Sequence, residues 1–434
     1  MKLLVAVAIS ILSIAACSMQ PQQSSNIKYD AAYSIALNGK IAEGKILSPS
    51  SESSVVKGLI QSQLYYTVGQ LNGFDGVADL SKNQVSIKSI TGAADANGNY
   101  AVSYQATMFV SWDKGTPVPG SLTLILPILP TEAGIDTFME TYAEDCRDDF
   151  SHEPEAGNFW YYYRPAAYNC LLAKPGHVAS ESVVTKFNMT FEPSLEQTTG
   201  KSPEYAKIWE DGKLVVTAIF AFNEPENDHE SDVATYAFNS FYSGLAQQYG
   251  KPISSTPALE DGKKPGPDFD RFEVVFQTPS GTLNVGMMLV DGIRALTTEQ
   301  VDFYSRRTRN SDFVSYSGHS GLGANIRALT RLGTFAANQY QLFFINGCDT
   351  FAYVDNSLRE AHAAVNPDFG ADKFFDVITN SMPSYFSSNA AGNLTIIRSL
   401  IDKRATYREI LGNIDSAQRA VVTGEQDNSW PNPF

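Results

Sequence analysis

Residues 214–222 (Leu-Val-Val-Thr-Ala-Ile-Phe-Ala-Phe) are almost continuously apolar, and a strand reads this way only when both of its faces are covered. The pattern recurs. Strands are expected at 272–277 and 283–290 around a Pro279-Ser280-Gly281 turn, then at 313–316 and 341–345. Helical stripes lie between them. Asp232 opens one that carries Val233, Tyr236, Ala237, Phe241 and Leu245 and closes at Gly250; others are expected at 298–307 and 324–332, and after Ser357, Asp372 and Asn393. Alternation of this kind predicts an α/β fold over 205–422, a mainly parallel sheet with helices on both faces. Residues 423–434 are polar and proline-bearing, and are expected as a loose tail.

The stretch 28–172 has a different rhythm. Tyr33, Ile35 and Leu37 alternate up to an Asn38-Gly39 pair, which predicts a hairpin turn. Val56, Ile60, Leu64 and Val68 recur every four residues, as on one face of a helix. Val85 and Ile87 precede a second Asn-Gly pair at Asn97-Gly98. Tyr100, Val102, Tyr104, Met108, Val110 and Trp112 then alternate along a long strand, followed by a strand at 122–126 and a helix at 131–142. This predicts an α+β domain with an antiparallel sheet. Residues 173–204, rich in Pro, Ser, Thr and Gly apart from a strand-like 183–191, are expected as a linker.

The N-terminus carries an address. Lys2 is followed by apolar and small residues from Leu3 to Ala16, a run too short for a mature spanning helix and right for a secretory signal. Ile14-Ala15-Ala16-Cys17 resembles the bacterial lipobox. The resemblance implies removal of 1–16, a diacylglycerol and an acyl chain such as palmitate on Cys17, and a lipidated tether over 17–27. Ser18 is not the Asp that holds such lipoproteins in the inner membrane, which points to the outer membrane of the cell envelope. The chain of 434 residues has 32 basic and 47 acidic side chains, a net charge of −15. That sign argues against nucleic acid or an anionic bilayer as a partner, so membrane contact is expected through the lipid alone. The globule is expected as a monomer.

With Cys17 assigned to lipid, Cys146 and Cys170 are the natural disulfide in an oxidising compartment. Cys348 remains, and an odd thiol in an exported protein directs attention to its histidine. His319 lies in a glycine-rich turn after one expected strand and Cys348 ends the next. Functional groups of an open parallel sheet collect beyond the carboxyl ends of its strands. A thiolate attacks an acyl carbon better than a hydroxyl does, and a neighbouring imidazolium is expected to lower the pKa of the thiol.

Tyr316-Ser317-Gly318-His319-Ser320-Gly321 is similar to the Tyr-Ser-Gly-His-Gly segment of metacaspases, and an apolar strand ending in Cys348 is the second half of the signature of caspase-like peptidases. The resemblance spans about 213–403 as architecture, carried by these two short motifs. It implies Cys348 as nucleophile, His319 as the group that activates it or protonates the leaving amine, and an oxyanion hole from amides near Gly318 to Ser320 and at Cys348. Gly321, Asn346, Gly347 and Asp349 complete the expected substrate side. Two departures stand out. Ser320 separates His319 from Gly321, and Asn346 takes the place of an Asp that reads basic side chains, with Asp349 instead following the cysteine. The activity implied is a lipid-anchored cysteine endopeptidase acting on peptide or protein. The other reading is a non-catalytic envelope lipoprotein whose caspase-like domain binds a peptide or partner protein.

Other candidates compete. Phe159-Trp160-Tyr161-Tyr162-Tyr163-Arg164-Pro165 reads as a sugar or peptide platform, or as aromatics packed into a disulfide-pinned core. Residues 224–232 (Glu-Pro-Glu-Asn-Asp-His-Glu-Ser-Asp) have ligand types for calcium or zinc, but also suit an acidic helix start. No other cofactor is expected. His152-Glu153-Pro154-Glu155 reads as a surface loop, since Pro154 opposes a helical zinc motif. No Gly-x-Ser-x-Gly follows a strand to support a serine hydrolase.

Overall fold

A computed structural model describes residues 28–93, 97–148, 154–224 and 228–424. The signal segment, Cys17, the tether, His152, Glu153 and most of the tail lie outside the described residues. In chain order the described strands are β1 (Tyr29–Ala31), β2 (Ser34–Ser48), β3 (Gly76–Ala93), β4 (Tyr100–Asp113), β5 (Ser121–Pro127), β6 (Val184–Pro193) and β7 (Lys213–Ala221). They continue with β8 (Ser254–Thr256), β9 (Arg271–Thr278), β10 (Gly281–Val290), β11 (Phe313–Ser317), β12 (Gln341–Asn346), β13 (Phe375–Asn380) and β14 (Ala420–Thr423).

The fold is mixed α/β. Nine strands form one sheet in the order β1-β14-β13-β12-β11-β7-β10-β9-β8, and five form an antiparallel sheet in the order β3-β4-β2-β6-β5. In the larger sheet β10, β7, β11, β12 and β13 are parallel; β9 and β14 flank them in the opposite direction, and β8 and β1 at the two edges pair antiparallel with β9 and β14 in turn. The sheet is therefore mixed, with a parallel centre. Successive residues of β7 show why its sequence is a solid apolar run. Val216, Ala218 and Phe220 pack with Phe238, Phe241 and Leu245 of the helix Val233–Tyr249 and with Ile397 of the helix Asn389–Asp402. Ile219 and Ala221 join the opposite core, with Tyr304 of the helix Thr298–Thr308 and Leu329 of the helix Ala324–Leu332. That second core is continuous with the core of the five-stranded sheet, so the N-terminal part is packed on one face of the α/β layer.

Several local expectations need correction. Asn38-Gly39 is not a turn. β2 runs through it, with Asn38 opposite Phe109 of β4 and Glu192 of β6, and a side chain at Gly39 would reach within 2.8 Å of Met189 Sδ. Here glycine serves packing in a central strand. The pair Asn97-Gly98 does turn, with Gly98 at φ 81°. The strand expected at 183–191 is present as β6 (Val184–Pro193), but instead of lying in a linker it bridges β2 and β5. Tyr29–Ala31, expected in the first domain, pairs with β14 at the far edge of the larger sheet. Thr423, assigned to the loose tail, is the last residue of β14 and lies opposite both Tyr29 and Val377. The helix expected after Asp372 is instead β13, an apolar and β-branched segment buried along its length. No helix among the described residues is long and apolar enough to cross a membrane.

Candidate functional site

β11 and β12 pair in parallel with Ser317 opposite Asn346. His319 and Cys348 therefore stand two residues beyond the same rung of two neighbouring strands. The turns that carry them touch. Gly318 donates its amide to the Asn346 carbonyl at 3.1 Å, and a side chain at Gly347 would lie 2.8 Å from the Gly318 carbonyl oxygen and 3.3 Å from the Ser320 nitrogen. Gly318 has no more room, since its Cβ would sit 2.7 Å from that of Ala221. The two glycines let the strand ends close on each other.

The loop after β13 lies against both candidates. The thiol of Cys348 donates to the Ser384 carbonyl at 3.8 Å, and the ring of Phe386 meets the His319 imidazole edge-on, centroids 5.5 Å apart. His319 is exposed and held from two sides. Tyr316 Oη and Asn325 Nδ2 donate to its carbonyl at 2.8 and 2.7 Å, and its Nε2 lies 3.0 Å from the Asn223 carbonyl, just past β7. A carbonyl only accepts, so the neutral ring carries its proton on Nε2 and leaves the Nδ1 lone pair for another donor. Asn223 is itself fixed by Asp232, whose carboxylate accepts from the amides of Asn223, Glu224 and Ala234, the last capping the helix Val233–Tyr249.

Cys348 is partly buried. Burial, and after it the neighbouring Asp349 carboxylate, push its thiol above the usual range, while Ser384 offsets part of this. The resting thiol is thus protonated, against the expectation of an imidazolium-lowered thiolate. Asn346 and Asp349 are fully buried rather than presented to a substrate. Asn346 Nδ2 donates to Asn389 Oδ1 at 2.9 Å and its Oδ1 accepts from Asn380 Nδ2 at 2.7 Å. Asn393 Nδ2 reaches Ser317 Oγ at 3.1 Å, which completes a carboxamide floor beneath the two turns. Ser320 is buried, whereas Gly321 is exposed with φ 56°.

The remaining candidates divide. Cys146 and Cys170 are joined by a disulfide. The aromatic run forms the short helix Phe159–Tyr162, with Phe159, Trp160 and Tyr163 in the core, which favours packing over a ligand platform. One of its rings does reach the site: Tyr161 Oη donates to Asp349 Oδ2 at 2.7 Å. In the acidic stretch, residues 225–227 lie outside the described residues. Asp232 is engaged by backbone amides, and His229 stacks on Phe222 with Nε2 3.7 Å from Asp291. Among the described residues no group of three or more His, Cys, Asp or Glu is arranged to hold a metal ion.

Asn223, Ser384 and Phe386 were not legible as site residues, because two act through backbone carbonyls and the third through an ordinary aromatic contact. Asp232 carried a signal, an N-cap residue before a helical stripe. A comparison of the chain with models of protein families, with curated proteins and with solved structures returns no match.

Proposed function

We propose that the protein is a cysteine peptidase of caspase-like type, anchored by lipid at Cys17 in the bacterial cell envelope, its outer membrane the site favoured by Ser18. The observation that carries the reading is His319. It follows one central parallel strand, Cys348 follows the next, and the Asn223 carbonyl fixes the imidazole with Nδ1 available. Cys348 is the nucleophile. Because its thiol is protonated at rest, Nδ1 takes the proton as Sγ bonds to the acyl carbon of a peptide. The Gly318 amide is engaged with Asn346, so the developing oxyanion would draw its donors from the amides of Ser320 and Cys348. The imidazolium then protonates the leaving amine, and water hydrolyses the thioester with His319 again as base.

The test is direct. Full-length protein should cleave a denatured protein substrate such as dye-labelled casein, Cys348→Ala should abolish cleavage, and His319→Ala should lower it at least about a hundredfold. Iodoacetamide should label Cys348 in the folded protein, more slowly after His319→Ala. A second reading, a domain that binds peptide or a partner without cleaving it, is favoured by the burial of Cys348 and its raised thiol. An inert Cys348 and unchanged casein would decide for it. Membrane attachment is tested separately: Cys17→Ala should release the protein into the soluble fraction.

A further inference from the structure

Asp349 follows Cys348 immediately, is 0% exposed and adopts left-handed backbone angles, φ 48° and ψ 34°. Glycine or asparagine would satisfy that turn without a charge to bury. Its Oδ2 accepts the Tyr161 hydroxyl from the other part of the chain, and its Oδ1 has no completed hydrogen bond. Tyr161 is well placed to hold its position. Its ring lies 6.4 Å from that of Tyr353 and 6.2 Å from that of Trp160, within the loop closed by Cys146 and Cys170. A buried carboxylate beside a partly buried thiol bears directly on that thiol's chemistry.

We propose that Tyr161 and Asp349 are positioning residues for Cys348: Asp349 sets a buried carboxylate against the thiol and restrains its ionisation, and Tyr161, supplied by the N-terminal part, keeps that carboxylate charged. The inference rests on reading Cys348 as the nucleophile. The groups around Asp349 act in known directions. Burial raises its pKa to about 6; Tyr161, Arg164 and Asn72 pull it back toward the anion, and Asp148 pushes it further up. Tyr353 and Cys348 are each made harder to ionise by its charge. At neutral pH Asp349 is therefore mostly ionised, and the thiol is restrained.

The measurement is the rate of iodoacetamide labelling of Cys348 in the full chain, disulfide intact, followed by mass spectrometry of its peptide from about pH 6 to about pH 9.5. Asp349→Asn tolerates the left-handed turn and still accepts from Tyr161, but has no charge. Its labelling midpoint should fall by about half a unit or more, so labelling near neutral pH rises about threefold or more. Tyr161→Phe keeps the ring and removes the donor, so Asp349 holds its proton to higher pH. This variant should label faster than wild type near neutral pH and converge with it near pH 9. The double variant should match Asp349→Asn. Changes by one constant factor at every pH, or single variants that overlay a wild-type curve which still depends on His319, overturn the inference and leave the peptidase reading intact. A wild-type Cys348 that labels only after denaturation overturns both.

Discussion

A carboxylate oxygen of Asp232 lies 3.1 Å from the amide of Asn223, and the carbonyl of the same Asn223 lies 3.0 Å from His319 Nε2. One side chain thus caps a helix and fixes the acceptor that orients the imidazole. Asp232→Ala should remove the cap and free the loop after β7. The expected loss is about 1 to 2 kcal/mol of stability, with Cys348 labelling slowed toward the rate of His319→Ala. Asp232→Asn retains one acceptor oxygen and should recover part of both. Urea unfolding and labelling rates on the same preparations check this; a destabilised Asp232→Ala with wild-type labelling would separate the cap from the site.

Asn346 stands where the resemblance leads one to expect an Asp that reads basic substrate side chains, yet it is buried with both ends of its carboxamide engaged. Asn346→Asp replaces the donor to Asn389 by a second acceptor and buries a charge. The variant should lose about 2 to 4 kcal/mol and gain no preference for cleaving after Lys or Arg. Urea midpoints and a peptide panel with varied residues before the scissile bond give the two readouts. Gain of basic specificity at wild-type stability would place Asn346 on the substrate side after all.

These residues show how legible the molecule was. The central strands were readable because β7 and β12 are buried on both faces, which leaves no polar alternation and little else for Leu214, Val216 or Phe344 to be. From there the ends of the strands, and hence His319 and Cys348, could be located. Asn38-Gly39 misled because the same dipeptide serves a turn through its backbone freedom and a strand through its small size; Met189 decides which, and it is distant in sequence. Phe375–Asn380 was misread because a short apolar run has no period long enough to separate strand from helix. Tyr161 was visible as an aromatic residue. Its hydrogen bond to Asp349 spans 188 residues and depends on how the two sheets pack, which no local pattern encodes.

The disulfide closes the segment that carries Tyr161, with Cys146 and Cys170 separated by 24 residues. In the loop-entropy account a bridge of this span contributes about 3 kcal/mol. Cys146→Ala/Cys170→Ala should therefore lower the unfolding free energy measured in urea by a comparable amount. Both sulfurs are buried, so the bridge should resist dithiothreitol in the native state and yield on partial denaturation. Rapid native-state reduction would contradict this burial.

Two buried groups make opposite demands on pH. Asp349 has a pKa raised by burial from 3.8 to about 6, so the folded state holds its proton more tightly than the unfolded chain. Its contribution to stability is most favourable below about pH 4, declines as pH rises toward 6, and costs about 3 kcal/mol above that. His362 is the reverse case. Burial lowers it from 6.5 to about 4, so its stabilising preference for the neutral ring is present above 6.5 and is lost as pH falls through 4, again about 3 kcal/mol. Between pH 4 and 6 the two slopes oppose each other in the wild type. Asp349→Asn removes one of them, so the variant should exceed wild-type stability by up to about 3 kcal/mol at pH 7 and match it near pH 4. Its own profile should fall more steeply on acidification, because His362 then acts unopposed. Urea unfolding at pH 4, 5.5 and 7 measures the difference, in which other titrating groups such as Glu196 cancel. A variant curve parallel to wild type across that range would mean that Asp349 carries no raised carboxyl in the folded protein.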